Sequence, residues 1–223
     1  MLLLQFSTSH YCRKARLALG FKQLDYTVEN LTPGLHALKL RPLTGLTTLP
    51  VLVPQTERAP EAIADSTRIL RYLEATFSDP PLMPRAPELR RQADWLEDWF
   101  DESIGTATRF AYYDFRAGAG KQLDPSPFSQ ILIAVVRRQY GITPTTVALA
   151  HDRLRLAFDA IADWKTQPYL VGNALSHADL TAAALLSPLV RIPDYRDKYP
   201  WAFARIAEIH HRCREPLPPG LED

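Results

Sequence analysis

The residues best suited to chemistry are Ser9-His10-Tyr11-Cys12, directly after the apolar run Leu2-Leu3-Leu4-Gln5-Phe6. A short buried strand that empties into a Ser-x-x-Cys turn, with a helical pattern over residues 13–19, builds a particular kind of site. The start of such a helix offers unpaired backbone N–H groups and a partial positive charge. Serine is a favoured N-cap, and a thiol beside that terminus is stabilised as its anion. Dithiol redox turns carry cysteine at both ends of this spacing. Here the first of them is serine, so the turn suits thiol chemistry but points to a ligand as the source of the reacting sulfur.

The elements that must hold this turn fall into two sets. Over residues 1–78 short strand and helix signals alternate. Strand patterns cover 2–6, 25–29, 50–53 and 62–63. A helix covers 11–20 and ends at Gly20, and Asp65-Ser66 caps another over 67–77. Residues 31–48 are rich in Pro, Gly and Thr and predict a broken helix and loop. Residues 79–87 form a stiff proline-rich linker. From residue 88 to 223 the patterns are helical only: one long amphipathic helix over 88–115 with Trp95, Trp99 and Phe100, then 129–140, 145–165, 176–186 and 201–213. The fold class expected is an α/β domain over 1–78 followed by an all-helical domain over 88–223.

Composition narrows the function classes. The chain has 223 residues, 46% hydrophobic and 23% charged, as ordinary globular proteins do. A formal net charge of +1 gives no electrostatic case for nucleic acid or an anionic membrane surface. The apolar runs are far too short to span a bilayer, and the first of them lacks a basic leader and the length of a signal-peptide core. With only Cys12 and Cys213, a disulfide framework is not expected and a cytoplasmic location fits. No metal-ligand spacing is present. His210-His211 is an adjacent pair whose side chains do not share a helix face.

Four tracts in order resemble the glutathione transferase superfamily, a likeness spanning nearly the whole chain. They are Ser9-His10-Tyr11-Cys12-Arg13-Lys14-Ala15-Arg16-Leu17-Ala18-Leu19, Thr48-Leu49-Pro50-Val51-Leu52, Ala64-Asp65-Ser66-Thr67-Arg68-Ile69-Leu70-Arg71-Tyr72-Leu73, and Tyr169-Leu170-Val171-Gly172 with Leu175-Ser176-His177-Ala178-Asp179-Leu180. The resemblance implies a thioredoxin-like N-terminal domain that binds glutathione and a helical domain that forms the acceptor site. Leu49-Pro50 is expected to be a cis X-Pro bond, leaving the Leu49 backbone to pair with an extended peptide such as glutathione. At the Asp65-Ser66 helix start, the Ser66 N–H and hydroxyl suit the γ-glutamyl carboxylate and Asp65 the ligand ammonium. The fourth tract reads as structural: Ser176 and Asp179 form a capping-box variant, with Leu175 and Leu180 as a hydrophobic staple.

The mechanism implied turns on Ser9. Its hydroxyl donates to the glutathione sulfur and, with the helix dipole, lowers the thiol pKa from its free value of about 8.5. Tyr11 is the alternative donor in the same turn. For the electrophile, the resemblance points to His10, Arg109 and Tyr113. Asp101 is expected to reach a ligand amine across a dimer interface, and Lys39 and Arg41 are candidates for the glycyl carboxylate. The expected protein is a cytoplasmic, homodimeric detoxifying glutathione transferase. It joins glutathione, as co-substrate, to small hydrophobic electrophiles, without a further cofactor or metal. It is of serine-type or atypical bacterial-like character, with similarity to the cyanobacterial Chi class. The alternatives are a glutathione-dependent thiol oxidoreductase or peroxidase working through Cys12, and a non-catalytic glutathione- or ligand-binding module.

Overall fold

The computed structural model describes residues 1–54 and 61–221. Strand β1 (Leu2–Gln5) lies parallel to β2 (Thr27–Asn30) through the crossover helix α1 (His10–Phe21). On its other side β1 pairs antiparallel with β3 (Val51–Val53), and β3 pairs antiparallel with β4 (Ile63–Ala64). The sheet order is β2-β1-β3-β4, with Leu3 opposite Val28 on one side and Leu52 on the other. Helix α2 (His36–Thr44) carries Pro42 inside it and ends at Gly45, whose φ of 75° is the left-handed turn that glycine adopts at low cost. Helix α3 (Ser66–Thr76) follows β4.

Register decides where the motifs meet. Leu4 faces Val51 and Val51 faces Ala64. The last residues of β1, the first of β3 and the last of β4 therefore lie at one end of the sheet. The turn before α1, the Leu49-Pro50 pair and the Asp65-Ser66 pair leave the sheet from that same end, although more than fifty residues separate the first from the last.

The remaining chain is helical: α4 (Pro87–Trp99), a π turn (Phe100–Ile104), α5 (Gly105–Ala117), α6 (Pro127–Gln139), α7 (Pro144–Ala160), α8 (His177–Leu186), α9 (Pro193–Lys198) and α10 (Pro200–Arg212). A thioredoxin-like α/β part followed by a helical part is the fold class that the sequence predicts. Among the described residues no helix is long and apolar enough to cross a membrane.

The two parts share one core. Helix α1 is buried along most of its length between the sheet and α8, which is itself buried at every position. The alanine-rich sequence of α8 permits that close approach. At its start the Asp179 carboxylate accepts hydrogen bonds from the Ser176 backbone N–H and hydroxyl, both at 2.9 Å, and from the Leu170 N–H at 2.7 Å. The expected capping arrangement is present, extended to tie the preceding loop. The basic residues of α1 are not a solvated face. Arg13 donates to the Ser187 hydroxyl, Arg16 reaches Gln5 and Glu215, and Gly20 touches the Cys213 backbone so closely that a Cβ would lie 1.8 Å from its carbonyl oxygen.

Two sequence expectations are corrected. The single helix predicted over 88–115 is interrupted by the π turn, because one added residue per turn barely disturbs an apolar periodicity read over long windows. The helix predicted over 145–165 ends as α7 at Ala160, and a short 3-10 turn, Ala162–Lys165, follows it.

Candidate functional site

Ser9 caps α1 with extended backbone angles, and its hydroxyl oxygen accepts the Cys12 N–H at 3.3 Å. The cap orients the exposed N–H groups of the first turn toward the end of the sheet. Cys12, three residues on, is fully buried. Burial pushes its thiol up, and its hydrogen bonds with Ser9 and the Phe6 backbone offset this only in part. Cys213 is buried as well and is pushed up to about 12 by the same cause. Both sulfurs are held as neutral, shielded thiols, in the state in which cysteine is inert.

Across the turn, the Leu49–Pro50 peptide is cis, as the sequence predicts. Pro50 is buried and Leu49 half-buried immediately before β3. Asp65 caps α3 and accepts the Arg68 N–H at 3.0 Å. Its φ of 78° and ψ of 132° lie in a region that residues with a Cβ seldom adopt, at a cost on the order of 1–3 kcal/mol. Ser66, buried, opens α3, and its hydroxyl donates to the Asp101 carboxylate at 3.3 Å.

The π turn packs against all of this. The Tyr11 hydroxyl donates to the Asp101 carbonyl at 2.9 Å, and the His10 ring Nε2 pairs with the Gly105 carbonyl at 3.1 Å. The Lys14 ammonium, fully buried, donates to the Thr67 hydroxyl at 3.0 Å and to the carboxylates of Glu97 and Asp101. Burial, with the Arg109 charge nearby, lowers His10 to about 3, so it is the neutral imidazole that donates to Gly105. Burial pushes the Tyr11 phenol up to about 12 and raises the Asp101 carboxyl against the pull of Lys14. Gly105 is required at its position, since a Cβ there would stand 2.5 Å from the Tyr11 hydroxyl oxygen.

The sequence-predicted residues thus separate. Ser9, Leu49, Pro50, Asp65 and Ser66 come together at the end of the sheet. Tyr11 and His10 spend their polar atoms on the seam with the helical part. Asp101 is engaged within its own chain by Lys14 and Ser66. Lys39 pairs with Glu29 on the surface at 2.5 Å, while Arg41 is exposed. Arg109 and Tyr113 lie one and two turns beyond Gly105 on α5, both half-buried, and burial pushes the Tyr113 phenol up. Sequence reasoning missed Lys14, Thr67 and Glu97. Glu97 and Asp101 stand four residues apart, a like-charge spacing that is unfavourable unless a cation faces it, but nothing in the sequence names Lys14 as that cation.

Residues 3–81 match the family model of the glutathione S-transferase N-terminal domain. FtsZ-localized protein A of Caulobacter vibrioides is 29% identical over 192 residues, which span 85% of this chain and 75% of that protein. A glutathione S-transferase from Rhodospirillum rubrum superposes with a TM-score of 0.71 at 22% identity, over 94% of this chain and 87% of that one. The theta class glutathione S-transferase of Xanthomonas axonopodis pv. citri, solved with glutathione bound, superposes with a TM-score of 0.70 at 20% identity, over 97% and 98% of the two chains.

Proposed function

We propose that this chain, whose residues 3–81 match the glutathione S-transferase N-terminal domain, is a glutathione transferase that binds glutathione at the end of the sheet and transfers its sulfur to an electrophilic carbon of a small hydrophobic acceptor. In this reading the Leu49 backbone pairs with the extended tripeptide. The free N–H groups at the start of α3 receive the γ-glutamyl carboxylate, and Asp65 receives the ammonium. The glutathione sulfur then lies over the first turn of α1. There the Ser9 hydroxyl and the helix dipole favour its anion, each unit of pKa lowering being worth about 1.4 kcal/mol. The thiol proton leaves to solvent, the thiolate forms a C–S bond with the acceptor, and the leaving group departs with the bonding pair. The same reading makes the protein a cytoplasmic homodimer in detoxification.

One observation carries this choice of donor. Of the two hydroxyls in the turn, that of Tyr11 donates away from the turn to the Asp101 carbonyl, whereas that of Ser9 stays at the start of α1, accepting the Cys12 N–H and bonding the Cys12 thiol. The test is kcat/KM against pH with glutathione and chlorodinitrobenzene. Ser9→Ala is expected to raise the apparent thiol pKa by about one to two units, while Tyr11→Phe leaves that pKa in place. An unchanged profile in Ser9→Ala removes Ser9 from the chemistry.

A second reading, a binding module without turnover, is favoured by the similarity to FtsZ-localized protein A, a relative named for where it localises and not for a reaction. Retention on glutathione resin together with no conjugation of any acceptor would select it.

A further inference from the structure

On the face of α5 that runs outward from the Ser9 turn, Gly105 touches Tyr11, Arg109 comes one turn later, and Tyr113 one turn after that. The Arg109 guanidinium carbon lies 4.3 Å from the ring centroid of Tyr140 and 5.4 Å from that of Tyr11. Two aromatic rings therefore hold the planar fork at the edge of the turn, a geometry that favours arginine. Among the described residues Arg109 makes no hydrogen bond and no ion pair.

Its neighbours do not share that condition. Arg116, farther along α5, pairs with Asp124, and Arg137 on the facing helix α6 pairs with Asp114. The carboxylates of this wall are assigned to those two arginines, and Arg109 is left with a pre-oriented fork of N–H donors. The Tyr113 hydroxyl, on the same face, also has no hydrogen-bond partner among the described residues. The charge of Arg109 reaches His10, Tyr11 and Tyr113, the residues around the mouth of the turn.

We infer that Arg109, with Tyr113 beside it, forms an anion subsite next to the sulfur position, and that the preferred acceptor is a small apolar electrophile bearing a carboxylate. This inference rests on the transferase reading for its chemistry. A guanidinium takes a carboxylate through two parallel N–H···O bonds, and the rings of Tyr11 and Tyr140 supply apolar contact for the acceptor body. In the reaction the thiolate forms the C–S bond, chloride leaves an aryl acceptor with the bonding pair, and the carboxylate stays unchanged on Arg109.

The experiment uses chlorodinitrobenzoate and chlorodinitrobenzene, which differ by one carboxylate. The ratio of their kcat/KM values is expected to fall about tenfold in Arg109→Gln, through KM of the acid, and to be partly kept in Arg109→Lys. An unchanged ratio in Arg109→Gln, or an Arg109→Lys indistinguishable from Arg109→Gln, overturns the subsite. Calorimetric titration with unreactive dinitrobenzoate, with and without glutathione, reads the subsite independently of turnover. Its Kd is expected to weaken about tenfold in Arg109→Gln, and equal Kd values overturn the inference. If wild type turns over neither acceptor, the transferase reading fails, and the titration still decides whether Arg109 binds the anion.

Discussion

Ser9 and Tyr11 are separated by one residue and have different fates. A cap residue precedes the helix and keeps its hydroxyl at the helix end, whereas a residue in the first turn projects sideways into whatever packs there. For Tyr11 that neighbour is the π turn, whose Asp101 carbonyl accepts its hydrogen bond. Cys12 lies on the inner face and is shut away. Iodoacetamide is therefore expected to label the native protein at Cys12 only at the rate of unfolding, with no fast phase at neutral pH. Rapid stoichiometric alkylation that stops conjugation would restore the oxidoreductase alternative. At this scale the sequence was informative about residue types: the Ser-x-x-Cys turn, the Leu-Pro pair and the Asp-Ser pair are each legible because local backbone geometry demands them. What Lys14 does was not legible. A lysine in a helix reads as solvated until a partner helix brings Glu97 and Asp101 over it.

Among the elements, the seam of α1 with the π turn and the start of α5 depends on Gly105. Gly105→Ala places a methyl group on the Tyr11 hydroxyl and is expected to lower unfolding stability by about 1–3 kcal/mol, read as a reduced urea midpoint. Tyr11→Phe in the Gly105→Ala background is expected to recover part of the loss, because it removes the clashing oxygen. Additive losses in the double variant would place the strain elsewhere. Most elements were readable from periodicity and capping, including α1, α3 and the start of α8. The π turn was not, since its residues Phe100–Ile104 keep the amphipathic pattern of the helix on either side. The crossing of α1 on α8 was also hidden, because the sequence shows a basic α1 and only the fold shows each arginine partnered.

Across the whole molecule, stability carries a pH signature from buried histidines. His10 is lowered to about 3 and His210 to about 4, both chiefly by burial. A base with a depressed folded pKa is neutral in the native state, and the unfolded chain binds the extra proton. Its contribution is complete above the unfolded value of about 6.5 and is lost as pH falls toward the folded value. At pH 5 the loss is about 2 kcal/mol for each histidine as an upper figure. The raised carboxyls of Asp101 and Asp179 act with the opposite sign, since the folded state then binds the extra proton, so the net slope is shallower. Urea midpoints of wild type are expected to fall between pH 7 and pH 5, and His10→Gln and His210→Gln each to flatten that fall. A slope identical in wild type and both variants would exclude the histidines as its source. The gathering of three distant motifs at one end of the sheet belongs to this scale too. It follows from strand order and direction, which no single motif encodes.

The π turn has a consequence for which face of α5 meets the start of α1. An α-helix advances about 100° per residue, so one residue added within a turn shifts the phase of all that follows by that angle. Glu97 and Arg109 stand on either side of this offset, the first facing Lys14 and the second facing the Tyr11 ring. Shorten Phe100–Ile104 by a single residue and the same α5 sequence would rotate a different strip of side chains toward Tyr11. The face that α5 offers is thus written as an angular offset upstream of it, and chains with similar α5 residues but an unbroken helix would present another surface to the Ser9 turn.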